Sequence, residues 1–184
     1  MSQQQAGLHF VKANSYFAAG RYEDAIEEYS RAIHLRRDYI IAYINKGNAY
    51  CKMGRYYKAE AVYSAAIELV SDNPRLYYNR GVARRFLGKF NEAIEDYSMA
   101  IRFDPYYADA YINRGNIKIK QQLYEEAIQN YSAVIVLSPN YAEAYYNRGI
   151  AKKHLGNNKD AFQDIGKAFA LKKELHEQSD QRTK

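Results

Sequence analysis

The sequence repeats with a period of 34 residues from Ala6 onward, without an insertion or a deletion. The same small or aromatic residue returns in successive copies at three marker positions. Alanine stands at 25, 59, 93, 127 and 161, tyrosine at 29, 63, 97 and 131, and glycine at 47, 81, 115 and 149. A fixed period of this length is typical of a solenoid, because each unit needs its neighbours to bury its apolar face.

We expect five tandem units, because the register runs through five copies. They occupy residues 6–39, 40–73, 74–107, 108–141 and 142–175. Residues 1–5 are predicted to form an N-terminal tail, and 176–184 a C-terminal helix extension or tail.

Each unit is predicted to contain two amphipathic helices, A and B. In the third copy, apolar residues recur at spacings of three and four before Gly88, and again from Phe90 to Phe103. This spacing predicts helices, and a glycine just past a helix end can adopt the left-handed conformation that closes the last turn. Glycine ends helix A at 20, 54, 88 and 156. The fourth copy has Gln122 there, which should cost about 1 kcal/mol if the same backbone is kept.

The glycines at 47, 81, 115 and 149 predict a close helix crossing. We expect helix A to pass helix B there, with the repeated alanines, such as Ala93, at the facing point. Packing and helix ends use eight of the ten glycines. No Gly-x-Gly-x-x-Gly or Gly-Lys-Ser arrangement remains to hold a phosphate.

These positions resemble the tetratricopeptide repeat. Counted from the first residue of a unit, the family pattern has a bulky residue at four, glycine at eight, aromatics at seventeen and twenty-four, alanine at twenty and twenty-seven, and proline at thirty-two. The third copy meets it with Tyr77, Gly81, Phe90, Tyr97, Ala93, Ala100 and Pro105. Departures occur at Arg37, Ser71, Val134, Asn158 and Ile165. The resemblance implies an all-α fold, a right-handed α-solenoid of antiparallel helix pairs, whose A helices line a concave groove that binds peptides or protein segments.

By the same resemblance, positions two, five, six, nine, twelve and thirteen of helix A face the groove. Position six is asparagine in copies two to five, and a row of amides can pair with the backbone of an extended peptide. The alternative is that asparagine is simply the residue that such repeats commonly have at this position, without a role in binding. The predicted peptide-binding residues are Asn45, Asn48, Arg75, Tyr78, Asn79, Arg85, Ile112, Asn113, Asn116, Tyr146 and Asn147.

The carboxylate clamp of chaperone-binding repeats is only partly present. Copies one to three offer Asn14, Asn45 and Arg75 at clamp positions. Phe10 replaces the first lysine of the clamp, and Asn79 replaces its final arginine. A co-chaperone adaptor with a degenerate clamp is therefore an alternative to the general interaction scaffold.

The formal net charge of +6 makes nucleic-acid binding a hypothesis to consider. Position seven is always a cation: Lys12, Lys46, Arg80, Arg114 and Arg148. Acids recur on helix B, among them Glu28, Asp96 and Asp164, so we expect many of these cations to be paired. A mildly basic groove favours acidic peptides and can also hold phosphates. The chain has no Lys/Arg-rich run and no recognisable base-reading code, which argues against nucleic acid; RNA binding stays an alternative.

Nothing in the sequence predicts catalysis, a cofactor or a metal site. The four histidines form neither a His-Glu-x-x-His pair nor a cluster with cysteine. No apolar stretch approaches the roughly 20 residues of a membrane span, and the mean hydropathy is -0.63. The N-terminus does not resemble a signal peptide, and the lone Cys51 is interpreted as an apolar filler. We expect a cytoplasmic protein.

The last B helix continues without a polar capping helix. Phe162 and Phe169 stand where a following A helix would pack, and none follows. Either the C-terminal tail folds over them, or this end pairs with a partner or a second copy. We therefore consider a homo-oligomer through the C-terminal end.

Overall fold

The computed structural model describes residues 2–182, with side chains described for residues 3–175 and for Glu177. Every regular element in this part of the chain is an α-helix. The helices are α1 (Ser2–Ala18), α2 (Tyr22–Leu35), α3 (Ile40–Lys52), α4 (Tyr56–Leu69), α5 (Pro74–Phe86), α6 (Phe90–Phe103), α7 (Ala108–Lys120), α8 (Tyr124–Leu137), α9 (Ala142–His154) and α10 (Asn158–Arg182). Each 34-residue unit supplies one helix pair, so the predicted all-α repeat fold is confirmed.

The chain divides into two compact units. The first ends at Pro105 and holds α1 to α6; the second starts at Tyr106 and holds α7 to α10. Within the first unit, α2 packs on α3 and α4 on α5, in addition to the contacts inside each pair. Within the second unit, α8 packs on α9. Short loops between consecutive helices favour this neighbour-to-neighbour packing.

The N-terminal end is helical where a tail was expected, and the C-terminal end takes the helix-extension alternative. Helix α1 begins at Ser2, so residues 2–5 belong to it rather than to a separate tail. Glutamine favours helix, and no glycine or proline separates residues 2–5 from Ala6. Helix α10 continues to Arg182, so residues 176–182 extend the last B helix. Met1 and residues 183–184 lie outside the described range.

Three of the four glycines at the crossing, Gly47, Gly81 and Gly115, make room for an aromatic ring. A Cβ at Gly81 would lie 2.9 Å from Cε1 of Tyr97, and Gly115 faces Tyr131 in the same way. In these three repeats the closest group across the crossing is therefore the tyrosine ring, not the alanine that the register suggested; in the fifth repeat Gly149 faces Ile165 and the carbonyl of the predicted Ala161. The ring reaches across because it stands one helical turn beyond the alanine on the same side of helix B.

Gln122 keeps the backbone of the glycines that it replaces. Its φ is 60°, beside 77° at Gly88 and 79° at Gly156. The next residue, Leu123, donates its amide to the carbonyl of Lys118 at 2.9 Å, as Lys89 does to Arg84 after α5. A side chain in this left-handed region is strained, so the predicted cost applies here.

Three of the five position-seven cations pair with an acid on helix B of their own repeat. The pairs are Lys12–Glu28, Arg80–Asp96 and Arg148–Asp164. Arg114 donates to the amide oxygen of Asn130 instead, at 2.8 Å. Lys46 has Val62 in the acid's position, and burial lowers the pKa of its ammonium group. The expectation that many of these cations are paired is confirmed.

Candidate functional site

Tyrosine hydroxyls join the asparagines of neighbouring repeats into short hydrogen-bonded chains. In the first unit, the Tyr29 hydroxyl donates to Oδ1 of Asn14 at 2.6 Å. Nδ2 of Asn45 donates to the same oxygen at 3.1 Å. The asparagine at position nine of one repeat thus accepts two hydrogen bonds, one from the tyrosine of its own repeat and one from the position-six asparagine of the next repeat.

The second unit repeats this arrangement. The Tyr131 hydroxyl and Nδ2 of Asn147 donate to Oδ1 of Asn116, at 2.7 and 3.3 Å. Asn113 is held differently, because its Nδ2 donates to the backbone carbonyl of Asp109 at 2.9 Å. At Asn45 and Asn147 one amide hydrogen is used inside the protein, which leaves the amide oxygen and the second hydrogen for a ligand.

Asn79 is the exception in the row. The Tyr63 hydroxyl donates to Oδ1 of Asn48 at 2.7 Å, but Asn79 does not join this pair. Within the described residues, the side chain of Asn79 has no hydrogen-bond partner, and it is partly exposed. Its amide therefore offers both donors and its acceptor to a ligand.

Asn79 lies on α5, a helix with well-defined ends. Oδ1 of Asn73 accepts the backbone amide of Arg75 at 3.1 Å and caps the N-terminus, with Pro74 in the first turn. Gly88, with φ 77°, ends the helix. Helical spacing puts positions two, five, six, nine and twelve on one face of α5. These are Arg75, Tyr78, Asn79, Val82 and Arg85, which we call the α5 face.

The opposite side of α5 is fixed by ion pairs. Arg80 binds Asp96 through both carboxylate oxygens, with the closest contact at 2.7 Å, and Arg84 reaches Asp96 at 2.9 Å. Arg84 also donates to Glu60 at 2.9 Å. Burial alone would raise the pKa of Glu60, but its hydrogen bonds with Lys89 and Arg84 outweigh burial and lower it. These contacts hold α5 against α4 and α6.

The two arginines on the α5 face have no carboxylate partner among the described residues. Arg75 is exposed, and its side chain makes no hydrogen bond there. Arg85 is partly exposed, and its guanidinium carbon lies 4.5 Å from the centre of the Phe86 ring. Phe86 in turn stacks on Tyr56, with ring centres 4.6 Å apart. Of the four arginines in α5, two are thus paired with acids, and two have no acid partner among the described residues.

The other predicted residues are placed unequally. Ile112 is 5% exposed and belongs to the core with Ala127 and Val134, so it offers almost no surface to a ligand. Its side chain fills the space between helices of its own unit. Tyr146, by contrast, is 41% exposed. The ligand-binding role of Ile112 and Tyr146 stays a prediction.

The C-terminal phenylalanines are open to solvent. Phe162 is 79% exposed and Phe169 is 62% exposed. The described part of α10 therefore does not cover them. Self-association through this end stays a prediction.

A shallow pocket of the first unit contains residues that the sequence analysis did not select. Phe17, Tyr56 and Phe86 line it together with Asn48, Cys51 and Lys52. Phe86 stands at a predicted groove position, whereas Tyr56 is the helix-B aromatic of the repeat pattern. Burial raises the pKa of the Cys51 thiol, which agrees with its role as an apolar filler. Position thirteen was the sequence signal that could have identified Phe86.

Two features are absent from the residues that the structure describes, a metal-binding cluster and a membrane-spanning helix. No three His, Cys, Asp or Glu side chains there are grouped so that they could hold a metal ion. No helix in the described range combines the length and the apolar composition needed to cross a bilayer.

Tandem helix pairs with a common register define a helical-repeat protein. Family models described as "TPR repeat" match residues 13–54, 47–85 and 115–156. Models described as "Tetratricopeptide repeat" match residues 74–107 and 142–175. The chain belongs to the tetratricopeptide repeat (TPR) family. No curated protein matches it significantly.

Solved TPR structures are similar to the chain over nearly its whole length. A crystal structure of MamA is 21% identical, with 95% of each chain covered and a TM-score of 0.85. MamA from Desulfovibrio magneticus RS-1 is 17% identical, with 92% of this chain and 96% of that one covered and a TM-score of 0.84. YrrB, described as a TPR protein with an unusual peptide-binding site, is 23% identical, with coverage of 93% and 90% and a TM-score of 0.75. At these identities the likeness shows the fold: an all-α solenoid.

Proposed function

We propose that the chain is a non-catalytic interaction scaffold, and that it binds a protein segment on the α5 face. The observation that carries the proposal is the division of polar groups on α5. Arg80 and Arg84 are paired, whereas Arg75, Asn79 and Arg85 are not. A rigid helix with an unpaired amide and two cations on one side is suited to the polar backbone and side chains of a peptide.

The family and one structural relative support this proposal. TPR domains commonly bind proteins or peptides, and YrrB is described as having a peptide-binding site. Tyr78 lies beside Asn79 on the α5 face, and an aromatic ring next to an amide is a common recognition pair. In the second unit, the exposed Tyr146 and the remaining donor of Asn147 form a second candidate surface. A cytoplasmic location belongs to the proposal, because the lone Cys51 cannot form an intramolecular disulfide.

Peptide display tests the proposal directly. Random-sequence peptides on phage are selected against the intact chain, and the affinities of selected peptides are measured for Asn79→Ala and for the control Gln129→Ala, an exposed position on α8. We expect Asn79→Ala to weaken binding about tenfold. Its melting temperature should be unchanged, because the Asn79 amide has no hydrogen bond within the described protein to lose.

Three results would redirect the proposal. Equal affinities of all three proteins for every selected peptide would place binding away from the α5 face. Binding of unrelated single-stranded RNA oligonucleotides, with a steep decrease as salt is added, would favour the nucleic-acid alternative. Preference for an acidic C-terminal tail, lost in Asn45→Ala, would favour the co-chaperone alternative.

A further inference from the structure

The tyrosine at position twenty-four has an asparagine partner in three repeats. The hydroxyls of Tyr29, Tyr63 and Tyr131 donate to position-nine asparagines at 2.6, 2.7 and 2.7 Å. The fifth repeat has isoleucine at both positions, Ile150 and Ile165, so no polar group is left over. Tyrosine and asparagine are thus kept or lost together in these four repeats.

The third repeat breaks the pairing. It keeps Tyr97, but Val82 stands where the asparagine would accept the hydroxyl. Tyr97 is 0% exposed, and its hydroxyl has no hydrogen-bond partner. A buried hydroxyl without a partner loses its hydration and gains nothing in exchange, so its retention calls for an explanation.

Arg85 is the group placed next to this hydroxyl. It occupies position twelve, and in the second repeat the residue at that position, Cys51, brings its Sγ to 3.9 Å from the Tyr63 oxygen. Nε of Arg85 is itself buried without a hydrogen-bond partner. Burial raises the pKa of the Tyr97 hydroxyl, and the charge of Arg85 and the close approach of its side chain to the hydroxyl oppose that rise.

The position of the Arg85 guanidinium is restricted on two sides. The guanidinium carbon of Arg85 lies over the ring of Phe86, and that ring is supported by the stacked ring of Tyr56. Nε of Arg85 is buried. The solvent-accessible surface of this partly exposed residue therefore belongs to other atoms of its side chain. The terminal nitrogens carry four of the five guanidinium donors. Such an arginine, held by packing rather than by a counter-ion, is preorganised for an anion from outside.

We propose that Arg85, backed by Tyr97, forms a subsite for one carboxylate group of a bound polypeptide. This proposal rests on peptide binding by the α5 face. A planar guanidinium matches the two oxygens of a carboxylate, and a single such contact suits one acidic group. A nucleic-acid backbone would instead need several cations in a row. The carboxylate belongs either to an Asp or Glu side chain or to a C-terminus.

Nuclear magnetic resonance with small carboxylates tests the subsite without a peptide partner. The ¹⁵N-labelled intact chain is titrated at constant ionic strength with N-acetylglutamate α-amide, which carries a side-chain carboxylate, and with N-acetylglycine, which carries a terminal one. N-acetylglutamine amide is the uncharged control. We expect saturable shifts at the Arg85 Nε–Hε signal and the backbone amides of α5, with a dissociation constant on the order of 1–10 mM. Tighter binding of N-acetylglutamate α-amide would identify a side-chain carboxylate as the source, and tighter binding of N-acetylglycine would identify a C-terminal one.

Variants separate the subsite from general charge. Arg85→Gln should reduce the carboxylate-induced shifts of the α5 backbone amides at least fivefold, whereas Lys167→Gln, which removes an exposed cation from α10, should leave them unchanged. Val82→Asn supplies the partner found in other repeats and should also weaken carboxylate binding. Equal shifts with all variants, or none at Arg85 in the unmodified chain, would overturn the proposal.

Peptide display distinguishes failure of the subsite from failure of the proposed function. Peptides that bind through Asn79 but show no enriched acidic group or required C-terminal carboxylate would refute the subsite and leave the scaffold standing. The opposite result would be signal shifts at Arg85 on adding carboxylates, with no selected peptide whose binding is weakened by Asn79→Ala. That result would count against the scaffold, and therefore also against a polypeptide as the source of the carboxylate.

Discussion

Tyr97 and Tyr63 occupy equivalent positions on their B helices, but only the Tyr63 hydroxyl has an asparagine partner. Removing the hydroxyl should therefore have different consequences for stability at the two sites. Tyr63→Phe leaves Oδ1 of Asn48 without its donor and should lower the free energy of unfolding by about 1 kcal/mol. Tyr97→Phe removes a group that has no partner and should leave the free energy of unfolding unchanged or raise it.

Urea denaturation of both variants beside the unmodified chain measures this difference. Because the two substitutions delete the same atom from equally buried rings, each serves as the control of the other. Equal losses of stability would mean that the Tyr97 hydroxyl is satisfied in solution.

Gln122 is a second residue whose local conformation predicts a measurable effect. Its φ of 60° lies in the region where glycine is unstrained and other residues are not. Gln122→Gly should raise the free energy of unfolding by about 1 kcal/mol, an effect that thermal denaturation can detect. Gln121→Gly, one residue earlier at φ −84°, is the matched control and should lower stability. A stability loss in both variants would show that strain at Gln122 is not released.

At the scale of a helix, the cation at position seven ties the A helix to its B helix in four of the five repeats. The second repeat lacks the acid of this pair, because Val62 stands opposite Lys46 in the register. Burial lowers the pKa of Lys46, so the unfolded chain binds this proton more tightly than the folded one. Folding stability should therefore rise with pH between the lowered pKa and about 10.4, the ordinary lysine value.

Val62→Glu should supply the missing partner. We expect it to raise the free energy of unfolding at pH 7 by about 1 kcal/mol and to remove the rise toward alkaline pH. Val62→Gln has the same shape without the charge and is the control. Urea titrations at several pH values give both quantities; equal stability of the two variants would show that the introduced carboxylate does not pair with Lys46.

At the scale of the whole chain, buried acids with lowered pKa values contribute to how it responds to acid. Burial alone would raise the pKa values of Glu28 and Asp164, but hydrogen bonds and charges from neighbouring cations outweigh it and lower both. The unfolded chain then binds more protons in the acid range. The stability from these groups is fully present above about pH 4.5 and is lost as the pH falls through their folded-state values.

Asp164→Asn tests one of these contributions. The fourth repeat already uses an amide here, since Arg114 donates to Asn130. The variant should lose about 1 kcal/mol of unfolding free energy at pH 7 and show a smaller loss of stability below about pH 4.5. Melting temperatures across the acid range check both effects. An unaltered pH profile would contradict the lowered pKa of Asp164.

Much of the fold follows from the register alone. The spacing of apolar residues predicted the helix pairs, and the alignment of Gln122 with the glycines predicted its left-handed backbone. The pairing of Arg80 and Arg148 with acids also followed, because residues locked to the same period must face each other in every repeat. These features depend on local conformation and on contacts that recur with the period.

The candidate site depended on the tertiary structure, because it consists of exceptions to the period. The sequence placed four asparagines in one row but could not distinguish Asn79, which is free, from Asn45, whose partner lies 31 residues earlier. Nor did the register reveal that the Tyr97 hydroxyl reaches the position of Val82 and meets Arg85. Whether a polar group is satisfied is decided by side chains that come together only after folding. The sequence by itself therefore determined the repeat architecture, whereas the folded chain decided which of its repeated polar groups remain available for a partner.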